Sequence, residues 1–501
     1  MRHRGVTGQG FTILSRLLLG FVLLPLCIRV GWTAETANGS WVDPVSIFSR
    51  NGVLEAVLEA APRKIPVGPV TLDATLYNGL YPGPLLRVRP GDLMRLTLVN
   101  RLNEPTNLHF HGIQTSPLGN SDNVHVSVPA GGSFLYEVRI PQDQPPGLYW
   151  YHAHLHGNAM HQVTNGLTGS LIVEGIEEAL RLPSKIAERV FTLKDVQYDD
   201  VEDPVINDEL HDLLQTINGS TFVTTAMHPG ETQLWRFSNQ SANLYFHLTV
   251  RGHRFEIVAE DGVVLREPRI VDTLHIGPAT RVVALIRGSD PGDYEIVSEK
   301  VLTGDAKVRV LGRLQIAGPA VTANANRTPS WTLDDLRARP VTGRRTVAFS
   351  QDNASETYRI NGRLYEHGRI DTRVPLGSME EWTLFNNTDD MHVFHIHQLS
   401  FQVTAINGKP QPFDGYLDVV RIPERGHVTI LLPFTRPETL GRFVYHCHVL
   451  KHEDKGMMAG IEVFDPRVNA SGLVPLDRSI RWLKQRIYAF RSGFSPEFCG
   501  L

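Results

Sequence analysis

Apolar and polar positions alternate with a period of two in three well-separated stretches. In "RPGDLMRLTLVN" Met94, Leu96 and Leu98 alternate with Arg95 and Thr97. In "HPGETQLWRFSN" Trp235 and Phe237 alternate with Arg236 and Ser238, and in "PLGSMEEWTLFN" Trp382 and Leu384 alternate with Glu381 and Thr383. Such alternation, bounded by turn residues, predicts β-strands with one face toward a core. Each stretch opens at a glycine turn (Gly91, Gly230, Gly377) and ends on an asparagine at the same offset (Asn100, Asn239, Asn386). A further strand then brings His109, His247 and His395 to matching places.

A second motif recurs near the end of each copy: "GLYWYHAH" from Gly147, "GDYEIVSE" from Gly292 and "GRFVYHCH" from Gly441. The repeat is far longer than a solenoid unit. It predicts an all-β chain of three tandem Greek-key β-sandwich domains, at residues 63–176, 180–320 and 345–468. An N-terminal extension is expected over 38–62, a linker over 321–344 and a C-terminal tail over 469–501. The tail segment "LDRSIRWLKQRIYAF" predicts one amphipathic helix.

Ahead of these, Arg2, Arg4 and Arg16 flank an apolar run from Leu17 to Ile28. The run is short for a transmembrane helix, which needs ~20 apolar residues. It predicts an export signal over residues 1–37, hence a periplasmic or secreted protein without stable membrane insertion once the signal is removed. An uncleaved anchor is the alternative. The net charge of −4 over 501 residues gives no reason to expect a nucleic-acid partner. Loss of Cys27 with the signal leaves Cys447 and Cys499, too few for a disulfide framework. A lone cysteine among histidines reads as a metal ligand.

Histidine changes the picture most. Its 21 copies predict about one H-x-H by chance, yet five occur. They fall in "HFHG" at His109, "HAHLHG" at His152, "HVFHIH" at His392 and "HCHVLKH" at His446. On a strand, residues i and i+2 share a face, so each H-x-H aims two imidazoles the same way. The clusters occupy matched places in the first and third repeats. The middle repeat has Thr249, Val297 and Glu299 there instead. Ligands therefore belong to the outer repeats, which are expected to meet face to face with the middle one as spacer.

Cys447 lies between His446 and His448, so on a strand its sulfur faces away from both imidazoles. A thiolate could then hold one metal while its neighbours hold others behind it. Two histidines, a cysteine and a weak axial methionine describe an electron-transfer copper centre. His452, Met457 and His392 are placed to complete that set. Zinc competes for such ligands, but a structural zinc needs only four.

With all four clusters in order, the chain resembles the three-domain multicopper oxidases of the laccase type, and "HCHVLKHEDKGMM" is similar to bacterial laccases and cuprous oxidases. The resemblance implies cupredoxin-like domains and four coppers. Type 1 copper would be held by His392, Cys447 and His452 with Met457 axial, Met458 being the less favoured neighbour. Type 2 copper would take His109 and His395. One type 3 copper would take His111, His152 and His448; the other would take His154, His397 and His446. It implies one-electron oxidation of a phenol, an aromatic amine or a reduced metal ion, coupled to four-electron reduction of dioxygen to water. Glu453 and Asp122 match the family's carboxylates beside the oxygen-reducing cluster. A monomer is expected.

The chain has only eight methionines and no methionine-rich insert, which makes a dedicated cuprous oxidase the second choice. A copper nitrite reductase would lack the type 3 set, and a copper-free relative would lack ligands. His125, His161, His247 and His253 read as structural, His156 joins His152 and His154 only if their strand continues and is left unbound in the family resembled, and Asp389 and Asp390 read as an acidic turn.

Overall fold

The computed structural model describes residues 39–183, 185–197, 213–299, 308–321 and 333–471. The export signal, Cys499 and the amphipathic helix expected in the tail lie outside the described residues. What is described is built from strands, gathered into six sheets that form three pairs.

The repeat read from the sequence is a repeat of pairing. In each pair of sheets the alternating strand ending on asparagine runs parallel to the first long strand of its copy. Leu93–Asn100 pairs with Val53–Val67, Thr232–Asn239 with Ala187–Gln197, and Ser378–Asn386 with Gly343–Asp352. In the facing sheet the two motif strands are neighbours each time. His109–His111 lies beside Gly147–His152, Phe246–Val250 beside Gly292–Ser298, and His392–Ile396 beside Gly441–Cys447.

The matched asparagines explain why the pattern recurs. The Asn100 amide donates to the carbonyls of Glu104 and Val128 and its oxygen accepts from the Leu102 N–H. Asn239 does the same for Leu244, Ile276 and Ser241. Asn386 does it for Asp390, Ile422 and Thr388. One buried side chain thus closes the turn and ties it to a second strand by pairing three backbone groups.

Each pair of sheets encloses its own apolar core. Met94, Leu96 and Leu98 are fully buried, and each contributes roughly 1.5–3 kcal/mol by leaving water. Two expectations need correction. The strand Val53–Val67 starts inside the stretch assigned to an N-terminal extension, yet it is a central strand of the first repeat's sheet. The alternation of Thr232–Asn239 implies a strand with one face toward water, yet Arg236 and Ser238 are fully buried. The reason is a second apolar layer, in which Leu234, Val258, Val283 and Leu285 of the middle repeat pack against Leu85, Leu148 and Ile172 of the first. Arg236 is accommodated there by ion pairs to Glu177 and Glu188.

The outer repeats do meet. Gln398 donates to the Asp122 carboxylate (2.7 Å) and Gln114 to Ser400 (2.9 Å). Asp454 accepts from the N–H groups of Gly157 and Met160 (both 2.8 Å).

Candidate metal centre

Strand Gly441–Cys447 and the turn after it separate two donor sets. The sulfur of Cys447 faces the interior of the third repeat, 3.5 Å from His392 Nδ1 and 3.7 Å from His452 Nδ1, and those two nitrogens are 3.1 Å apart. A point equidistant from the three atoms lies about 2 Å from each, the length of a metal–imidazole bond (~2.0–2.1 Å). His392 Nε2 is 2.9 Å from the Thr388 hydroxyl. Donation from that nitrogen leaves Nδ1 as a lone pair toward the sulfur. His452 comes from the short helix Leu450–Asp454 and stacks on Tyr358 at 4.2 Å. Met457 is buried in the same core, with its carbonyl accepting from the Cys447 N–H (3.0 Å). Met458 instead lies opposite His446 in the next strand. Burial pushes the Cys447 thiol up to about 12, so a cation bound there would have to displace the thiol proton.

On the other side of Cys447 the histidines of both outer repeats converge. His446 Nε2 is 3.1 Å from His154 Nε2 and 3.2 Å from His397 Nε2. His448 lies against His111 and His152, with ring centroids at 5.0 and 5.5 Å. His109 stacks on His397 at 3.8 Å, and His111 on His395 at 3.7 Å. Strand register produces this convergence: His109 is paired with His152, and His395 with His446.

The hydrogen bonding of these rings fits metal ions. The Nδ1 atoms of His109, His152 and His395 lie 2.8–3.0 Å from oxygens of Asp122, Ala153 and Asp418. Their Nε2 atoms are buried without any protein partner, as are His111 Nε2, His397 Nδ1 and both nitrogens of His448. An outer acceptor on one nitrogen and an open lone pair on the other is the arrangement of ligating histidines. Burial, reinforced by neighbouring imidazoles, holds His109, His111, His152, His395, His397 and His448 well below their ordinary range. All therefore stay neutral, the form a metal needs. Three nitrogens, from His154, His397 and His446, converge closely enough for one ion, as do those of His109, His395 and His397.

Two carboxyls expected from the sequence are here. Asp122 accepts from the Phe110 N–H and lies 3.0 Å from His109 Nδ1. Burial lifts it to about 8, against the pull of its hydrogen bonds from Phe110 and Gln398. Glu453 is fully buried with Oε2 2.9 Å from His446 Nδ1, but neither oxygen has an aligned donor. Burial raises it to about 7, opposed by His154.

Three residues gave no signal in the sequence. Arg281, Asp418 and Asp261 form a buried cluster against His111 and His395. Arg281 and Arg287 bracket the apolar run of the "RVVALIR" strand, and nothing in that pattern sets Arg281 apart as the buried one. Trp150 stacks on His152 at 4.2 Å. The remaining histidines stay apart from the cluster: His156 lies against Tyr365, His125 against His367, His247 against His275 and His253 against Tyr294, while His161 is beside Asn165. Asp389 pairs with Arg425 and Asp390 accepts from Gln351, as turn residues.

Comparison with known proteins agrees with this chemistry. Three family models, each described as multicopper oxidase, match residues 63–178, 195–315 and 338–466. The multicopper oxidase of Staphylococcus haemolyticus is 28% identical over 429 residues, covering 82% of this chain and 89% of that protein. The solved laccase-like multicopper oxidase CueO of Ochrobactrum sp. superposes with a TM-score of 0.73 at 27% identity, over 84% of this chain and 100% of the other. The cell division protein FtsP of Escherichia coli is 26% identical over 421 residues, covering 77% and 84%. Three matched repeats of cupredoxin fold, together with a donor set suited to copper, place the chain in the multicopper oxidase family, the copper-dependent oxidoreductases with oxygen as acceptor.

Proposed function

We propose that this protein is a laccase-like oxidase that removes single electrons from phenols, aromatic amines or reduced metal ions and passes them to dioxygen. The observation that carries this reading is Cys447, whose sulfur faces one donor set while His446 and His448 face the other. We assign type 1 copper to His392, Cys447, His452 and Met457. Type 2 copper is assigned to His109 and His395, and the type 3 pair to His111, His152 and His448 and to His154, His397 and His446. Copper in these sites would supply one-electron redox chemistry, the four ions together delivering four electrons which, with four protons, reduce dioxygen to two waters.

The residues divide the remaining work. His452 is 8% exposed whereas His392 is fully buried, so the His452 edge is where a reductant comes nearest. The backbone from Cys447 to His446 and His448 is the shortest covalent path between the donor sets. Glu453 has a buried carboxyl poised near neutrality beside His154 and His446, and serves to hold and release protons on the oxygen side. Asp122 fixes the His109 ring by accepting from its Nδ1.

Near Tyr358 and His452, an open cleft of about 520 Å³ is lined by His156, Glu356, Thr357, Tyr365, Asp454 and Lys455. Its size suits a small molecule, for which ~300–1,000 Å³ is typical. The carboxylates of Glu356 and Asp454 and the His156 imidazole in that lining, beside the Lys455 that pairs with Glu356, also favour a second reading, oxidation of a small metal cation such as Cu(I). Export is supported by the basic and apolar N-terminus; among the described residues no helix is long and apolar enough to cross a membrane.

A panel of a phenol, an aromatic amine, Cu(I) and Mn(II) on copper-loaded protein tests the assignment. Oxygen uptake with the first two and a blue colour are expected. Replacement Cys447→Ser should abolish the colour and the uptake; persistence of both would end this reading.

A further inference from the structure

The ligand-free middle repeat sends one side chain into the oxygen side of the copper site. Arg281 begins the strand Arg281–Arg287 and is fully buried. Its two terminal nitrogens grip both carboxylate oxygens of Asp418 of the third repeat end-on, at 2.7 and 2.6 Å. Its other donors go to the carbonyls of Ala279 (2.9 Å) and Leu148 (3.4 Å), and Asp261 lies 3.3 Å away. The held carboxylate of Asp418 lies 3.3 Å from His111 Nδ1, and the carbonyl of the same residue lies 2.8 Å from His395 Nδ1.

His111 belongs to the first repeat and His395 to the third, and their rings stack at 3.7 Å. With Nε2 of each left open, Nδ1 carries the proton and needs an acceptor. Arg281 has no acceptor to offer, so although its Nη1 is 3.3 Å from His111 Nδ1 it can act on that ring only through Asp418. Gly112 closes the space on one side. A Cβ on Gly112 would lie 2.4 Å from an Asp418 oxygen and 2.9 Å from Arg281 Nη2.

We propose that Arg281 is a positioning residue: by clamping Asp418 it fixes the separation of His111 and His395, and through them the spacing of the type 2 and type 3 coppers. All three repeats thereby build the oxygen site, although two supply its ligands. A guanidinium is suited to this because its planar fork meets both carboxylate oxygens at once, which an ammonium cannot do. The proposal rests on the copper assignment above, and the copper count and paramagnetic spectrum of the unaltered protein test that assignment separately.

The test compares Arg281→Lys, Asp418→Asn and Asp261→Asn in copper-loaded protein. Asp261 touches Arg281 (3.3 Å) and accepts from the Val419 N–H (3.4 Å) but meets neither histidine ring, so its variant perturbs the same interdomain contact without removing an acceptor from either ring. In Arg281→Lys and Asp418→Asn the blue type 1 absorption should persist, with reduction by substrate under argon unchanged. The paramagnetic signature of type 2 copper should shift, and copper retention at the oxygen side or oxygen turnover should fall ~10–100-fold. Asp261→Asn should leave that signature in place. An unchanged type 2 signature in folded Arg281→Lys and Asp418→Asn would overturn the proposal, as would equal shifts in all three variants. If Arg281→Lys fails to fold, Asp418→Asn against Asp261→Asn decides alone.

Discussion

Single side chains set the chemistry by where they leave a nitrogen or an oxygen unpartnered. Glu453 illustrates this and can be tested without copper. Burial raises its carboxyl from 4.5 to about 7, so the folded chain favours the protonated acid. Stability from this group is complete below about 4.5 and is lost as pH rises through about 7. The loss is on the order of 3 kcal/mol for a shift of that size. Glu453→Gln cannot ionise and should escape it. Denaturant titrations of the copper-free protein should show the variant gaining on the wild type between those two pH values, and parallel pH profiles would contradict the assigned environment. With copper restored, the same variant should oxidise substrate at type 1 copper but slow in oxygen turnover, since its amide cannot pass a proton.

At the scale of strands and turns, the repeated asparagine is the device that matters. Asn239 is the best place to measure it because the middle repeat holds no ligand. Its side chain makes three buried hydrogen bonds, to Leu244, Ile276 and Ser241. Asn239→Ala leaves those backbone groups unpaired, at about 1–3 kcal/mol for each group that water cannot reach. A loss on the order of 3 kcal/mol in unfolding free energy is expected, with the blue colour of the folded fraction unaltered. These elements were also the most legible part of the sequence. Period-two alternation, the glycine-to-asparagine offset and paired histidines on strands are local patterns, so the histidines that converge in the structure can be read along the chain itself. Arg281, Asp418 and Asp261 were not legible because each is a single residue in a different segment, joined only by folding. The same cause hid the burial of Arg236: its strand has the alternation of a half-exposed sheet, and only the neighbouring repeat covers it.

Across the whole molecule the balance of buried ionisable groups determines how the copper-free form responds to acid. Ten imidazoles of the two donor sets are held below their ordinary 6.5, mainly by burial. A base whose folded pKa is depressed stabilises the fold above its unfolded value, and that contribution is lost as pH falls below about 6.5. Each such ring contributes up to ~1.4 kcal/mol per pH unit. The buried carboxyls Asp122, Asp261, Asp418, Glu453 and Asp454, with Glu177 and Glu260, act in the opposite sense but are fewer. The copper-free protein should therefore lose melting temperature steeply below about pH 6.5, while the copper-loaded form holds longer because bound metal competes with protons for the same lone pairs. Calorimetry of both forms across that range checks the prediction, and coincident curves would contradict it.

The clamp between Arg281 and Asp418 also limits how far the chain could be shortened. Excising the ligand-free repeat and splicing its neighbours together would keep every histidine of the two donor sets, yet strand an unneutralised carboxylate in a dry interior. A minimal two-sandwich version would need a new cation at that spot before it could be expected to assemble.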